Sequence, residues 1–392
     1  MSASPRRVGV VTVSRSDYGH LRSVLEAIRR SSDLELMLFV AGMHLEPRFG
    51  DTVREIEVDG FAIAERVRML DDGDSPAAIA AATGRGVEGF AHALARQHPD
   101  LLVVLGDRFE MLAAAVAALP FALPVAHIHG GEVSEGAMDN QIRHAITKLT
   151  HLHFASAVEH AQRIARMGEE GWRIHTVGGP GLDRLATTEP LSRHALASEL
   201  GLPEAGPWLL VTFHPVTLEY RDTAAHVDEL LAALDKTEGT VIITYPNADT
   251  SGQLIIERIE EFAARHPARC RLVRNLGERR YLSLLRHAAV MVGNSSSGLI
   301  EAPSFGLPTV NIGARQRGRL RGMNVIDVEP ARDEILRAIE TAQTPAFRAR
   351  AMTGGNPYGD GHAAPRIVEV LRTVSLDARL VQKRFADVGG AA

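Results

Sequence analysis

The sequence has little cysteine and lacks long apolar runs. Its one cysteine, Cys270, excludes a disulfide framework and a zinc site built on several thiolates, and it suits a reducing compartment. The longest apolar stretch, 111–126, is shorter than the ~20 residues of a membrane-spanning helix and is interrupted by Pro120 and Pro124. No signal-peptide pattern is recognisable near residue 1. We therefore expect a cytoplasmic protein that has no membrane partner.

The charge has no excess of either sign that would indicate a polyanionic partner. Lys and Arg number 43 and Asp and Glu 48, a net charge of −5, whereas nucleic-acid-binding proteins usually carry a basic excess. The sequence also lacks the Walker lysine pattern and a G-x-G-x-x-G after the first predicted strand, which are the fingerprints of NTPases and NAD enzymes. We expect neither nucleic acid nor a nicotinamide cofactor, but one small phosphate ligand is compatible with this charge.

The sequence does contain short apolar runs that alternate with amphipathic stretches. Apolar strands separated by helices are typical of a parallel sheet covered on both faces. The alternation pauses at 178–181 and resumes at residue 208, which divides the 392 residues into two α/β halves. The predicted strands are 8–13, 35–40, 101–105, 124–128, 153–156, 208–212, 240–244, 270–273, 290–292 and 309–312, and the helices of the first half are 20–30, 78–97, 108–119 and 139–149.

This pattern predicts the domain organisation. We expect a Rossmann-like N-terminal domain over 1–180, a Rossmann-like nucleotide-binding domain over 181–365, and over 366–392 a helix to about Phe385 with a frayed tail. Ligands of such sheets bind at the carboxyl ends of the strands. The fold class is thus α/β, with a central cleft between the two domains as the expected site.

Polar residues follow the predicted strands in both halves. The clusters are 14–19, 106–108, 127–132, 214–215, 246–247 and 293–298. Gly, Asn and Ser at these places fit ordinary turns, but several charged and imidazole side chains do not. The pattern therefore favours a shared functional site over unrelated loop polarity. The residues that carry this inference are Arg15, Asp107, Arg108, His129, Glu132 and His214.

The serine-rich loop 293–298 is a candidate phosphate site. It precedes a helix predicted to begin near Leu299, so backbone N–H groups and the positive end of the helix can hold an anion, together with the hydroxyls of Ser295 and Ser296. A plain N-cap explains the same residues equally well. Glu301 can accept hydrogen bonds from ribose hydroxyls, or it is a solvated carboxylate. The cations available to a diphosphate are Arg15 and Arg315.

Histidines and carboxylates offer two further kinds of chemistry. His127 and His129 face the same way on a strand, and with Glu132 they could bind a metal. No H-E-x-x-H pattern occurs, however, and the carboxylate spacing fits no common metal motif, so no metal is expected. Asp107 and Asp139 are the candidates for acid–base chemistry. For Asp139, which begins a predicted helix four residues before an arginine, a helix cap with a surface ion pair is an equal alternative.

At these residues the sequence resembles the hydrolysing UDP-N-acetylglucosamine 2-epimerases of sialic acid biosynthesis. The matching segments are SRSDYG (14–19), GDRFE (106–110), HIHGGE (127–132), IRHAITKL (142–149), FHPVT (213–217) and GNSSSGLIEAPSFGLPTVNIGARQRGR (293–319). The resemblance spans residues 8 to about 320. It implies a glycosyltransferase-B-like architecture of two Rossmann-like domains, chemistry without a metal or cofactor, and a homo-oligomer (dimer or tetramer).

The resemblance also implies roles for individual residues. The implied contacts to the nucleotide and diphosphate are Arg15, Arg108, His214, Asn247, Tyr281 (against uracil), Ser295, Ser296, Glu301 and Arg315. The implied catalytic residues are Asp107, Asp139 and His214, with His129 or Glu132 completing the set. There is one departure, since the mammalian enzyme and the non-hydrolysing relatives have a catalytic glutamate where this chain has His129. HIHGGE with SEGA (134–137) resembles the branch that acts on 2,4-diacetamido-trideoxy nucleotide sugars towards legionaminic acid.

The implied reaction begins when a base removes the C2 proton while the anomeric diphosphate leaves, which gives a glycal. Water then adds with inversion at C2, and a free 2-epimeric sugar and the nucleoside diphosphate are released. UDP-N-acetylglucosamine and a UDP-2,4-diacetamido-trideoxyhexose both remain candidates, and UDP is preferred to GDP. Three alternatives are a glycosyltransferase with a nucleotide-sugar donor, a metallohydrolase, and a regulator that binds a nucleotide sugar without turnover.

Overall fold

The computed structural model describes residues 4–71, 73, 75–133, 138–216, 221–246, 252–274 and 276–387. The chain forms two compact units, which we call the N-terminal unit (Met1–Arg184 with Tyr358–Ala392) and the C-terminal unit (Leu185–Pro357). This differs from the predicted division into 1–180, 181–365 and 366–392, because the chain returns to the N-terminal unit at Tyr358. Leu371 and Leu380 anchor that return in the core of the N-terminal unit.

Each unit is built on one parallel sheet. The strands of the N-terminal unit are β1 Arg6–Thr12, β2 Leu34–Ala41, β3 Ile63–Val67, β4 Leu101–Leu105, β5 Val125–Ile128, β6 Leu152–Ala155 and β7 Ile174–Thr176. Those of the C-terminal unit are β8 Trp208–Thr212, β9 Thr240–Thr244, β10 Cys270–Val273, β11 Val290–Gly293, β12 Thr309–Ile312 and β13 Val325–Val328. The orders are β3-β2-β1-β4-β5-β6-β7 and β10-β9-β8-β11-β12-β13.

Helices connect the strands in both units. Their bounds are α1 Arg15–Arg30, α2 Val53–Val58, α3 Pro76–Gln97, α4 Phe109–Ala118, α5 Asp139–Leu149, α6 Val158–Arg166, α7 Asp183–Thr187, α8 Arg193–Leu200, α9 Thr223–Asp235, α10 Gly252–Arg265, α11 Gly277–His287, α12 Ser297–Ile300, α13 Arg332–Ala342, α14 Pro345–Thr353, α15 Ala363–Thr373 and α16 Ala378–Val381. No helix in the described part of the chain is long and apolar enough to cross a membrane.

The sequence pattern explains these elements. Every residue of β4 and of β8 is buried, as expected for strands that are covered on both faces. Helix α1 buries Leu21, Leu25 and Ile28, which recur at helical spacing on one face. The predicted helix to Phe385 is wrong in one respect. Helix α15 ends at Thr373 and α16 begins after Asp377, whose carboxylate accepts the Leu380 N–H at 3.1 Å as an N-cap.

The two sheets share one topology that locates their ligand-binding edge. In the N-terminal unit β4 pairs with β1, and in the C-terminal unit β11 pairs with β8, so the strand order reverses at these pairs. Ligands of open α/β sheets bind beyond the carboxyl ends of the strands at such switch points. Arg15 begins the helix that follows β1, and Asp107 lies in the loop after β4. The loops after β8 and β11 carry His214 and Ser295.

Candidate functional site

A buried arginine on α5 contacts the polar loops that follow β4 and β5 in the N-terminal unit. Arg143, 6% exposed, donates to the Asp107 carboxylate and, at 2.8 Å, to the His129 carbonyl. Its Nη1 also lies 3.7 Å from Glu132 Oε2. Three residues that the sequence predicted for the site are therefore brought together, from the loops after β4 and β5. We call Asp107, His129, Glu132, Asp139 and Arg143 the carboxylate cluster.

Asp139 is the first residue of α5 and belongs to this cluster electrostatically. Burial and the nearby Asp107 carboxylate raise the pKa of Asp139, against the lowering effect of Arg108 and Arg143. The N-cap residue of α5 is Met138, so Asp139 occupies the first helical position and not the cap position. The sequence spacing predicts a pair between Asp139 and Arg143, whereas the guanidinium in the structure donates to Asp107. A carboxyl group whose pKa is raised beside another carboxylate is suited to acid–base catalysis.

His129 and Glu132 form a hydrogen-bonded pair in the loop after β5. His129 Nδ1 lies 2.5 Å from Glu132 Oε1, and Ser156 Oγ donates to the same oxygen at 2.6 Å. Burial opposes ionisation of Glu132, but His129, Arg143 and His160 hold its pKa well below the usual range. Glu132 is therefore ionised at neutral pH and orients the imidazole.

The arginine predicted to lie near the diphosphate has a buried partner that the sequence pattern did not indicate. Arg108 Nε and Nη2 donate to the two carboxylate oxygens of Glu110 at 3.2 and 2.8 Å, and Glu110 is fully buried. Burial lowers the pKa of Arg108, but Glu110 outweighs it and the net shift is upward. Arg108 is thus a fixed cation beside the carboxylate cluster. The sequence alone could have suggested this ion pair, because both residues lie in the segment GDRFE.

The SRSDYG segment is organised by a residue for which the sequence predicted no role. Asp17, 4% exposed, accepts hydrogen bonds from Val13 N at 2.8 Å, from Thr12 Oγ1 at 3.0 Å and from Ser14 Oγ. These bonds fix the turn from β1 into α1. Arg15, which was predicted to neutralise a diphosphate, is mostly exposed and its Nε lies 3.2 Å from Glu55 Oε1.

In the C-terminal unit, one buried amide joins the two loops at the switch point. Asn294 is fully buried, its Oδ1 accepts the His214 N–H at 2.7 Å, and its Nδ2 donates to the His214 carbonyl at 2.8 Å. Burial and the Arg315 charge lower the pKa of His214 to about 4. His214 is therefore neutral at pH 7 and can serve an anion as a hydrogen-bond donor, not as a cation. The sequence did not predict the role of Asn294.

The serine loop has a shorter helix than the sequence predicted. Helix α12 begins at Ser297 and ends at Ile300, so it consists of a single turn. The sequence predicted a helix that begins near Leu299 and continues beyond it. Pro303 explains the stop, because proline disfavours helical backbone at the residue before it and cannot donate to the helix. So short a helix contributes little dipole, and an anion here would be bound mainly by the N–H groups and hydroxyls of Ser295 and Ser296.

Other predicted contacts lie beside this loop. Arg315 Nη1 donates to the Asn294 carbonyl at 3.1 Å, and Gln316 Nε2 donates to the same carbonyl at 2.8 Å. The Tyr281 hydroxyl donates to Ser297 Oγ, which places the ring predicted to contact uracil next to the serine loop. Glu301 is the partly exposed residue at the C-terminal end of α12.

Two predictions concern residues that the structure does not describe. Asn247 and the SEGA segment 134–137 lie outside the described residues. Within the described ranges, no three or more His, Cys, Asp or Glu side chains are grouped so that they could hold a metal ion.

Comparison with known proteins identifies relatives over nearly the whole chain. The family model for UDP-N-acetylglucosamine 2-epimerase matches residues 26–372. The UDP-N,N'-diacetylbacillosamine 2-epimerase (hydrolyzing) of Legionella pneumophila is 38% identical over 96% of this chain and 98% of its own length. The GDP/UDP-N,N'-diacetylbacillosamine 2-epimerase (hydrolyzing) of Campylobacter jejuni is 34% identical over 98% and 100%, respectively.

Solved structures agree on the fold. The UDP-GlcNAc 2-epimerase of Neisseria meningitidis, solved with UDP-GlcNAc bound, matches with a TM-score of 0.78 at 16% identity, over 93% of this chain and 99% of that chain. The predicted α/β class with two Rossmann-like, glycosyltransferase-B-like domains is confirmed, as is the enzyme class suggested by the motifs. The chain therefore belongs to the UDP-N-acetylglucosamine 2-epimerase family, in its hydrolysing group of nucleotide-sugar 2-epimerases.

Proposed function

We propose that the enzyme converts a UDP-linked 2,4-diacetamido-trideoxyhexose and water into the free 2-epimeric sugar and UDP. UDP-N-acetylglucosamine is the second candidate substrate. The observation that carries the assignment is the hydrogen-bonded pair His129–Glu132 in the segment HIHGGE, where the resemblance implies a glutamate at position 129 in the mammalian enzyme and the non-hydrolysing relatives. The two relatives named for N,N'-diacetylbacillosamine support the same sugar.

This proposal assigns nucleotide binding and sugar chemistry to different groups of residues. The C-terminal unit binds the nucleotide and its diphosphate, and the carboxylate cluster handles the sugar. The proposed nucleotide and diphosphate contacts are Ser295, Ser296, Glu301, Arg315, Tyr281, Asn247 and His214, with Arg15 and Arg108 from the N-terminal unit. Fixed hydrogen-bond donors and cations aimed at the departing diphosphate would supply the largest part of the catalysis.

The first chemical step is an elimination. A base takes the proton from C2, the electrons of the C2–H bond form a C1=C2 double bond, and the C1–O bond breaks with its electron pair going to the diphosphate. In the second step water gives a hydroxyl to C1 while a proton is delivered to C2 on the opposite face. Inversion at C2 therefore needs two acid–base groups, one on each face of the ring.

The carboxylate cluster contains groups suited to both steps. Burial and the Asp107 carboxylate raise the pKa of Asp139, which makes it better able to hold and return a proton than an ordinary aspartate. Asp107 is ion-paired with Arg143, which stabilises its charge next to Asp139. His129, oriented by Glu132, completes the set. A homo-oligomer, dimer or tetramer, stays a prediction, and no residue of the proposed site is assigned to a second copy.

Product analysis with parallel donors tests the proposal. The purified enzyme is incubated without any acceptor with UDP-N-acetylglucosamine, the UDP-2,4-diacetamido-trideoxyhexose or its GDP-linked form, and the products are followed by mass spectrometry. We expect free sugar and UDP in equal amounts, unaffected by a chelator. The expected kcat/KM is at least about tenfold higher for the diacetamido donor, a difference of ~1.4 kcal/mol in transition-state binding.

Each rival function gives a different result in the same assay. A glycosyltransferase leaves the donor intact until an acceptor is added, a regulator binds the donor without turnover, and a metallohydrolase loses activity with the chelator. Release of the unepimerised sugar would also contradict the proposal, because simple hydrolysis leaves C2 unchanged. Equal kcat/KM values for the two UDP sugars would contradict the substrate assignment alone.

A further inference from the structure

A hydrogen-bonded chain leads from the carboxylate cluster into the interior of the N-terminal unit. Ser156 Oγ lies 2.6 Å from Glu132 Oε1 and 2.8 Å from His160 Nδ1. Ser156 follows β6 and is 2% exposed, and His160 lies on α6 and is 4% exposed. Neither residue was singled out by the sequence, and neither is part of the proposed acid–base set.

The direction of each hydrogen bond in this series follows from the protons that each group can donate. An ionised carboxylate only accepts, so both His129 Nδ1 and the Ser156 hydroxyl must give their protons to Glu132. Ser156 then has no proton left for His160, and the 2.8 Å contact requires that His160 Nδ1 donates to Ser156 Oγ. The positions of two imidazole protons are thus fixed by one carboxylate.

These hydrogen bonds also determine the state of the second ring nitrogen of His129, Nε2. With the proton on Nδ1, Nε2 of the neutral ring carries a lone pair. His129 Nε2 is buried and has no hydrogen-bond partner among the residues that the structure describes. A buried polar atom without a partner is costly, and it is satisfied when a water or a bound ligand supplies the missing hydrogen bond. His129 Nε2 is therefore suited to receive a proton from a bound sugar.

The backbone holds His129 in a strained but fixed position. Its φ is +64°, a region that residues other than glycine seldom adopt. The His129 N–H donates to the Phe154 carbonyl at 3.1 Å, and Arg143 donates to the His129 carbonyl at 2.8 Å. Strain that neighbouring hydrogen bonds maintain is characteristic of functional sites.

A glycine allows the loop after β5 to come close enough to Ser156 for the hydrogen bond with Glu132. Gly131 has φ +76°, and a Cβ there would lie 2.3 Å from the His160 carbonyl oxygen. Only the absence of a side chain lets the loop after β5 lie directly on α6. The close approach brings Glu132 within reach of Ser156, so the second glycine of HIHGGE serves this chain.

We propose that Ser156 and His160 are positioning residues that act through Glu132 to keep His129 Nε2 free as the acceptor of the C2 proton. This inference rests on the proposed function, since it concerns the same site. The other charged and titratable groups that face His129 come from four elements. They are Arg143 on α5, His20 on α1, Asp107 after β4 and His127 on β5.

Ser156→Ala tests the chain through the pH profile. Loss of the hydroxyl leaves Glu132 more basic, which stabilises the imidazolium of His129. The acid limb of the kcat/KM profile should then move to higher pH, because the base must be unprotonated to act. We expect kcat to fall about tenfold, the cost of one hydrogen bond to a charged group, while KM stays within about twofold.

Two further variants separate positioning from packing. Ser156→Thr keeps a hydroxyl and should retain most of the activity and the wild-type pH profile. Glu132→Gln offers an amide donor to Nδ1, which favours the wrong imidazole tautomer, and kcat should fall about 10²- to 10⁴-fold. Circular dichroism and urea unfolding check that each variant folds. Equal losses for Ser156→Ala and Ser156→Thr, or an unshifted Ser156→Ala profile, would overturn the inference.

A spectroscopic measurement on the unsubstituted enzyme covers the case in which the alanine variant does not fold. With 15N-labelled histidine, NMR should show the Nδ1–H form for both His129 and His160, and an Nε2–H form at His129 would overturn the inference. Failure of the proposed function looks different, since the wild-type enzyme would then release no free sugar from any donor.

Discussion

Asp107→Asn is expected to lower kcat by about 10²- to 10⁴-fold, the usual contribution of a general acid or base. Asparagine has the same shape and can still accept a hydrogen bond from Arg143, so the fold should be preserved. It cannot take up a proton, and it removes the negative charge that raises the pKa of Asp139. The pKa of Asp139 should then move down, which weakens the second acid–base group as well. Release of free sugar and UDP measures the loss.

The opposite end of the same strand provides a matched control. Asp100 lies directly before β4 and its carboxylate accepts the Arg7 N–H at 2.8 Å, at the end of the strand opposite to the loop that carries Asp107. Asp100→Asn makes the same chemical change and should keep kcat within about twofold. If Asp107→Asn folds normally and turns over like the wild type, the acid–base assignment is wrong.

Gly293→Ala is expected to destabilise the C-terminal unit by about 3–5 kcal/mol, from backbone strain and a steric clash together. Gly293 ends β11 with φ +133°, and a Cβ there would lie 1.9 Å from the Thr212 carbonyl oxygen in the neighbouring β8. Because the obstacle is backbone, no side-chain rotation relieves it. The shift would also displace Asn294, so affinity for UDP should fall.

Gly201→Ala separates the strain from the clash. Gly201 also has a positive φ, +62°, but a Cβ there meets no atom within 4 Å. We expect a loss of about 1–2 kcal/mol from left-handed backbone alone. Urea unfolding of both variants gives the comparison, and an equal midpoint for the two would contradict the importance of the close contact between β8 and β11.

The interior strands and the edge strand β10 could be predicted from the sequence, but the other edge strands could not. The run 101–105 predicts Leu101–Leu105 because a strand buried on both faces is apolar throughout. Strands β3, β7 and β13 were missed, and all three lie at sheet edges. Strand β3 contains Glu65 and Arg66, and β13 contains Asp327, because an edge strand borders solvent and tolerates charge.

The site was predictable as far as strand ends locate it. Polar clusters after β1, β4 and β5 were expected at one edge, and the structure joins the last two through Arg143. The sequence did not predict the positioning roles of Asp17, Glu110, Arg143, Ser156, His160 and Asn294. Arg143, Ser156 and Asn294 contact residues distant in the chain, whereas Asp17 and Glu110 have partners within five residues. The neutral state of His214 was also missed, because it depends on burial.

The motifs predicted the location of the chemistry because of their place on the sheets. Each matching segment begins at or near the end of a strand or on the helix that follows, and the carboxyl ends of parallel strands lie at one edge of a sheet. The length of α12 shows the limit of this reasoning. Glycine and serine predict the start of a helix, while its end at Ile300 depends on the proline that follows.

Exchange of the C2 hydrogen with solvent tests the account most directly. The wild-type enzyme is incubated with its donor in deuterated water, and the released sugar is examined by proton NMR and mass spectrometry. The account predicts loss of the C2 proton signal and one carbon-bound deuterium in every molecule of 2-epimeric product, since the proton that returns to the opposite face comes from solvent. A released sugar that keeps protium at C2 would contradict it, because no elimination through C2 would then have taken place.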